Sequence, residues 1–189
     1  MKSGKRTGEA REEAHSGFTI LEVMITLAAI AIVVLVTVPG SNMLLEKYRL
    51  KTASGKLFSG LELARSEAHQ RSSTVMMCPS SNGHSCRRDG DWSMGWLVFT
   101  DGNGNGTVQD IELIKAFEAP HQTVKIMAQG AVQSQAAFTA TGLNADNGAQ
   151  TGKFQICLDG SETAPKIVKV DAEGWIQMVK VHEEVCESG

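Results

Sequence analysis

The sequence predicts an α+β fold: a long N-terminal helix packed on a mostly antiparallel β-sheet domain. Three observations carry that reading. An apolar run extends from Phe18 to Pro39, interrupted by one full charge, Glu22. Between Asn42 and Arg71 the apolar residues fall at helical spacing. Beyond Ser73 the pattern changes to short runs bounded by Gly, Asn, Asp and Pro, as strands and turns require. A helix that feeds an antiparallel sheet buries its apolar stripe by covering one sheet face.

Taken in order, these features divide the 189 residues into a leader (1–17), a transmembrane helix (18–39), the amphipathic half of the same helix (40–72) and a β-rich domain (73–189). The apolar run is long enough to span a bilayer, which takes about 20 residues. A charge at the centre of such a span costs about 2.5–3.5 kcal/mol, so Glu22 needs a functional reason. A secretory signal would place a small-residue cleavage site after the apolar run, and Val38-Pro39-Gly40-Ser41 is a poor one. The leader is only weakly basic, with Lys2, Lys5, Arg6 and Arg11 against Glu9, Glu12 and Glu13. Lys47, Arg49, Lys51 and Lys56 follow the span, so charge does not set its orientation.

In the amphipathic half, Leu50, Ala53, Leu57, Leu61, Ala64 and Ala68 draw one stripe at spacings of three and four. Gly55 and Gly60 lower helix propensity without breaking the stripe. Pro39 removes a backbone donor and is expected to kink the helix. The expected strands are 74–78, 95–100, 111–118, 123–128, 137–139, 152–158, 167–170 and 175–181. Asp159-Gly160 and Glu173-Gly174 are turn signals, the second at hairpin spacing.

Four cysteines follow the span: Cys78, Cys86, Cys157 and Cys186. An even number beyond a membrane segment suggests an oxidising compartment and two disulfides. Three pairings are open. Local spacing favours Cys78–Cys86 and Cys157–Cys186, worth roughly 2.5 and 3.5 kcal/mol by loop closure. The alternative is a zinc site drawn from Cys78, His84 and Cys86, which needs a fourth ligand and a reducing environment. A formal net charge of −3 argues against strong nonspecific nucleic-acid binding. The five histidines are scattered, no nucleophile–base spacing stands out, and no phosphate loop precedes a helix. No enzyme is expected.

One further segment carries chemistry. Residues Asp101 to Glu112 fit the calcium-loop pattern D-x-[DN]-x-[DN]-G-x5-E at every specified position. Asp101, Asn103, Asn105, the Thr107 carbonyl and Glu112 would be the donors, and Gly106 would make the sharp turn. The flanks read as strands, unlike the two helices of an EF-hand. A hairpin connection uses the same Asp, Asn and Gly residues for turn chemistry alone. Both readings stand at this point, with calcium the one candidate cofactor.

The charged leader ending in Gly17, then Phe18-Thr19-Ile20-Leu21-Glu22, resembles the processing site of type IV prepilins. Ala64-Arg65-Ser66-Glu67-Ala68 and Gly95-Trp96-Leu97-Val98-Phe99-Thr100-Asp101 are more discriminating, and with them the chain looks like the GspH/FimT family of minor pilins and pseudopilins. The resemblance implies cleavage between Gly17 and Phe18 by a membrane peptidase that also N-methylates Phe18. It implies Glu22 as an assembly residue, paired with the amine of a neighbouring subunit. The implied partners are that prepilin peptidase, other minor and major pilins or pseudopilins, and an inner-membrane assembly platform. The implied place is the bacterial inner membrane, single pass, with the globular domain in the periplasm and the subunit incorporated into a filament. The implied function is initiation or tip assembly of a type IV pilus, and Pro39 with the A-R-S-E-A helix looks closer to that branch. The alternative is the H-type minor pseudopilin of type II secretion. A DNA-binding pilin is a weaker alternative. Such members carry a Gly-Arg-x-Arg motif near the C-terminus, where this chain is acidic (His182-Glu183-Glu184-Val185-Cys186-Glu187), leaving Arg87-Arg88 as a small basic spot.

Overall fold

A computed structural model of the chain describes residues 17–143, 151–161, 163–179 and Cys186, with side chains of 35–42 and 143 outside that description. Two compact units result, Met1–Asn42 and Met43–Gly189. One helix, α1, is assigned over Ile20–Arg71. The kink expected at Pro39 falls where side chains lie outside the described residues.

In the second unit every residue of the expected stripe is buried: Leu50, Ala53, Leu57, Leu61, Ala64 and Ala68 are at most 2% exposed. Among the described residues nine strands follow: β1 (Val75–Pro79), β2 (Gly95–Thr100), β3 (Leu113–Glu118), β4 (Val124–Gly130), β5 (Ala136–Thr139), β6 (Gly142–Leu143), β7 (Gly152–Leu158), β8 (Lys166–Val170) and β9 (Ile176–Val179). They form two antiparallel sheets where the sequence suggested one. The first has the order β3-β2-β1-β5-β6 and the second β4-β7-β8-β9. Periodicity marks which residues face inward but not which strand pairs with which, so a split sheet leaves no mark on it. The strand expected to begin at Ile111 begins at Leu113; Ile111 stands 92% exposed in the preceding turn.

A 3₁₀ turn, Trp92–Met94, joins the two sheets. Asp91 caps it by accepting from Ser93 N at 2.9 Å. Asp91 also bridges to Met127, and Ser93 Oγ accepts from Ile126 N at 2.9 Å, so the turn preceding β2 docks on β4. Trp92 is fully buried, edge-on to Phe154 at 5.0 Å, and its indole N–H donates to Gln133 O at 2.9 Å. Helix, sheets and turn share one core that includes Leu57, Leu61, Trp92, Trp96, Phe138 and Phe154. A smaller apolar cluster of Met76, Cys78, Leu97, Phe99 and Ala137 covers the other face of the first sheet. At the start of this unit Glu46 Oε2 accepts from Ser161 Oγ (2.8 Å) and Thr163 Oγ1 (3.0 Å), which ties α1 to the β7–β8 connection.

Gly60 marks where helix and sheet approach most closely. A Cβ there would stand 2.8 Å from Trp96 Nε1 and 3.2 Å from Met77 Cε, whereas one on Gly55 would meet nothing within 4 Å. Trp96 is fully buried and stacked on Phe117 at 5.6 Å, so it has little room to yield. Gly55→Ala is therefore expected to stabilise the domain by about 0.5–1 kcal/mol through helix propensity. Gly60→Ala should instead destabilise it by about 1–2 kcal/mol, as overpacking outweighs the same propensity gain. Urea denaturation of the two variants checks the opposite signs.

Candidate assembly site

The described N-terminal segment begins with Gly17, Phe18 and Thr19 in extended coil, and α1 starts at Ile20. Thr19 caps it. Its Oγ1 accepts from Glu22 N at 3.2 Å, and its carbonyl accepts from Glu22 N (3.1 Å) and Val23 N (3.2 Å). The spacing Thr19-x-x-Glu22 is that of a capping box, a signal in the sequence that the first reading of Glu22 passed over. Glu22 lies in the first helical turn, where a carboxylate faces the positive end of the helix dipole.

Around it the surface is apolar. Phe18 and Ile20 are each 82% exposed, and Leu21, Met24, Ile25, Leu27 and Ile30 are exposed beside them. Among the described residues no helix is long and apolar enough to cross a membrane. The apolar run read from the sequence continues through residues 35–39, whose side chains lie outside that description. An added Cβ on Gly17 would meet nothing within 4 Å, so nothing in the fold calls for glycine at that position.

In the second unit the structure forms two disulfides, Cys78–Cys86 (Cα–Cα 5.5 Å) and Cys157–Cys186 (5.9 Å), and leaves no cysteine free. With Cys78 and Cys86 joined, neither thiolate is left for zinc, and that alternative falls. Inside the short ring Asn82 Oδ1 accepts from His84 N (2.9 Å) and Ser85 N (3.0 Å), an Asx turn that folds the ring on itself. Arg87 follows, paired with Asp89. The hydrogen bond from Arg87 and that from Asp91 N hold the Asp89 carboxyl below its ordinary range, and the same pairing raises Arg87. The basic spot read at Arg87-Arg88 is therefore half neutralised. The acidic tail, apart from Cys186, lies outside the described residues.

The Asp101–Glu112 connection joins β2 to β3. Asp101 accepts from Asn105 N (2.9 Å) and Gly106 N (3.2 Å), Asn103 Oδ1 accepts from Asn105 N (3.0 Å), and Asn105 Oδ1 accepts from Thr107 N (2.8 Å). Gly106 takes φ 65°, the left-handed region that glycine enters without strain. Among the described residues no group of three or more His, Cys, Asp or Glu side chains gathers as a metal cluster.

A family described as type II transport protein GspH matches residues 53–174. The chain belongs to that family. Two crystal structures of the Pseudomonas aeruginosa (strain PAO1) type IV minor pilin FimU are similar to it in fold, each at 20% identity. In space group P21 the TM-score is 0.54, covering 71% of this chain and 91% of that one; in P65 it is 0.52, covering 69% and 93%. No curated protein sequence matches the chain. The GspH match begins within α1 at Ala53 and ends at the β8–β9 turn. It takes in the A-R-S-E-A helix, β2 and the Asp101–Glu112 connection, while Gly17 and Glu22 lie before it.

The two disulfides of this GspH-family domain close rings of different size, with sequence separations of 8 and 29 residues. Cys157→Ser/Cys186→Ser is expected to lose about 3.5 kcal/mol and Cys78→Ser/Cys86→Ser about 2.5 kcal/mol of unfolding free energy. Denaturant midpoints of the two double variants, compared with the oxidised parent, check both the size and the order.

Proposed function

We propose that this chain is a minor pilin that takes part in initiation and tip assembly of a type IV pilus filament. Its N-terminal helix would cross the bacterial inner membrane once, with the disulfide-bonded domain in the periplasm. The observation that carries the proposal is the pairing of two unlike parts. A helix with exposed apolar side chains and a single carboxylate in its first turn precedes a compact GspH-family domain. In this reading the subunit is structural, not catalytic. The described surface of Phe18–Val34 suits lipid before assembly and the helices of neighbouring subunits afterwards.

Hydrolysis of the Gly17–Phe18 peptide bond would leave a charged amine on Phe18, subsequently N-methylated. Glu22, one helical turn away, would pair with the amine of an adjacent subunit in an apolar filament interior. Each charge alone costs several kcal/mol to desolvate, and pairing relieves both costs at one register and no other. That is how one carboxylate can define the stagger between subunits.

The second reading is the H-type minor pseudopilin of a type II secretion system, favoured by the match to a family of type II transport proteins. Deleting the gene distinguishes the two. Loss of pili with secretion intact supports the pilus reading, and the reverse supports secretion. Processing is checked by intact mass in a pilus-competent host. The recovered chain should begin at methylated Phe18, and a bulky residue at position 17 should leave it uncut.

Assembly is checked with three variants. Glu22→Ala should insert and be processed, then fail to co-purify with other pilins. Glu22→Gln should fail likewise, since it keeps the shape and loses the charge. Thr19→Ala weakens the helix start by about 1 kcal/mol yet keeps the carboxylate, so it should still assemble. Normal assembly of Glu22→Gln would remove the charge-pairing account.

A further inference from the structure

We infer that the connection between β2 and β3 is a calcium-binding loop whose donors are Asp101, Asn103, Asn105, the Thr107 carbonyl and Glu112. Turn chemistry accounts for the first part of this loop. The Asx turns at Asn103 and Asn105, the bonds from Asn105 N and Gly106 N to Asp101, and the positive φ of Gly104 (70°) and Gly106 (65°) are what a tight connection of this composition adopts. It does not account for Glu112.

Glu112 is only 9% exposed, and its Oε2 is buried with no hydrogen-bond partner. Its backbone is fully used: the N–H donates to Gln109 O (2.9 Å) and the carbonyl accepts from Thr100 N (2.9 Å) and Thr100 Oγ1 (3.3 Å). These bonds place Glu112 directly across from the residue before Asp101, at the base of the loop. Ile111 beside it is 92% exposed, whereas Glu112 is buried. Val108 packs on the Leu97–Phe99 cluster and folds the middle of the loop back toward that base. A buried carboxylate oxygen left without a hydrogen-bond partner is costly, and a bound cation would satisfy it.

The donor set fits calcium in particular. All donors are hard oxygens, two are carboxylates that together balance a divalent charge, and Glu112 can bind through both oxygens as the twelfth position of such loops does. The backbone N–H bonds to Asp101 leave part of the carboxylate's accepting capacity for an ion. Asn105 Oδ1 accepts from both Thr107 N (2.8 Å) and Thr107 Oγ1 (2.7 Å), so the hydroxyl must turn away when the metal enters. With two charged donors on an exposed loop, the dissociation constant should sit near that of extracellular modules, about 10⁻⁴–10⁻³ M.

The test uses the full-length protein in detergent, stripped of metal with chelator and then titrated with calcium chloride. Melting temperature should rise and saturate as calcium is added, and calorimetry should show one site. Magnesium at equal concentration should give a smaller rise, because its tight octahedral shell suits the loop poorly. Glu112→Gln and Asp101→Asn should each weaken calcium affinity by about tenfold or more, while Asp110→Asn, at a position without a ligand role, should bind as the parent does. Glu112→Gln should also melt at or above the parent in chelator, since it removes a buried charge, and below the parent in calcium. That inversion is a signature that a purely structural glutamate lacks. If Glu112→Gln does not fold, Asp101→Asn alone decides. No melting shift and no heat at about 10 mM calcium, above the weakest extracellular sites, would overturn the proposal, as would an unchanged response in Asp101→Asn.

Discussion

The buried stripe of α1 is the constraint on which the rest of the domain depends. Two sheets that each turn an apolar face to the core need a common surface to bury against. Leu50, Leu57 and Leu61 supply apolar area, each worth about 1.5–3 kcal/mol when fully buried. Ala53, Gly60, Ala64 and Ala68 supply the opposite quality. Being small, they leave room for side chains of the sheets, and at Gly60 the helix backbone sits close to Trp96 and Met77. The core is packed by that alternation of sizes, and a single added methyl at Gly60 meets the Trp96 indole.

The same size pattern bears on the polar atoms. Trp92 places its indole N–H on Gln133 O, whereas the Trp96 indole N–H is buried with no partner. An unsatisfied buried donor costs about 1–3 kcal/mol. Its ring stacks on Phe117, which itself lies under Lys115 Nζ at 4.8 Å from the ring centroid. The domain accepts one orphan donor in exchange for a large flat surface at the point where helix and sheet nearly touch. The other orphan, Glu112 Oε2, has no such packing reason, which is why it points to chemistry and Trp96 does not.

The N-terminal unit obeys different physics. Among its described residues the large apolar side chains are exposed, and Thr19 accepts from the amides of Glu22 and Val23 at the start of α1. A helix start that ends in lipid or in a protein bundle must satisfy those donors internally. Thr19 does so for Glu22 N. The carboxylate can then serve a second partner without the helix depending on it.

Much of this was legible in the sequence. The stripe from Leu50 to Ala68, most strands to within two residues, the hairpin at Glu173-Gly174 and the spacing-favoured cysteine pairs all follow from local period, turn chemistry and loop length, which the chain carries residue by residue. The capping role of Thr19 was also there to be read, in its spacing to Glu22. Other features were not legible, because they depend on which segments meet. The division into two sheets rests on long-range pairing, and the 3₁₀ turn at Trp92 gains its meaning only by docking on β4. Gly60 reads as a weak helix residue until Trp96 is placed beneath it. Glu112 reads as one letter of a motif until burial strips it of solvent and partners. Sequence by itself determined which residues seek the core and where the chain turns, since both are properties of neighbours along the chain. Only the tertiary structure decided which contacts are too close and which charges lack a partner, because desolvation and steric exclusion exist only between segments brought together in space.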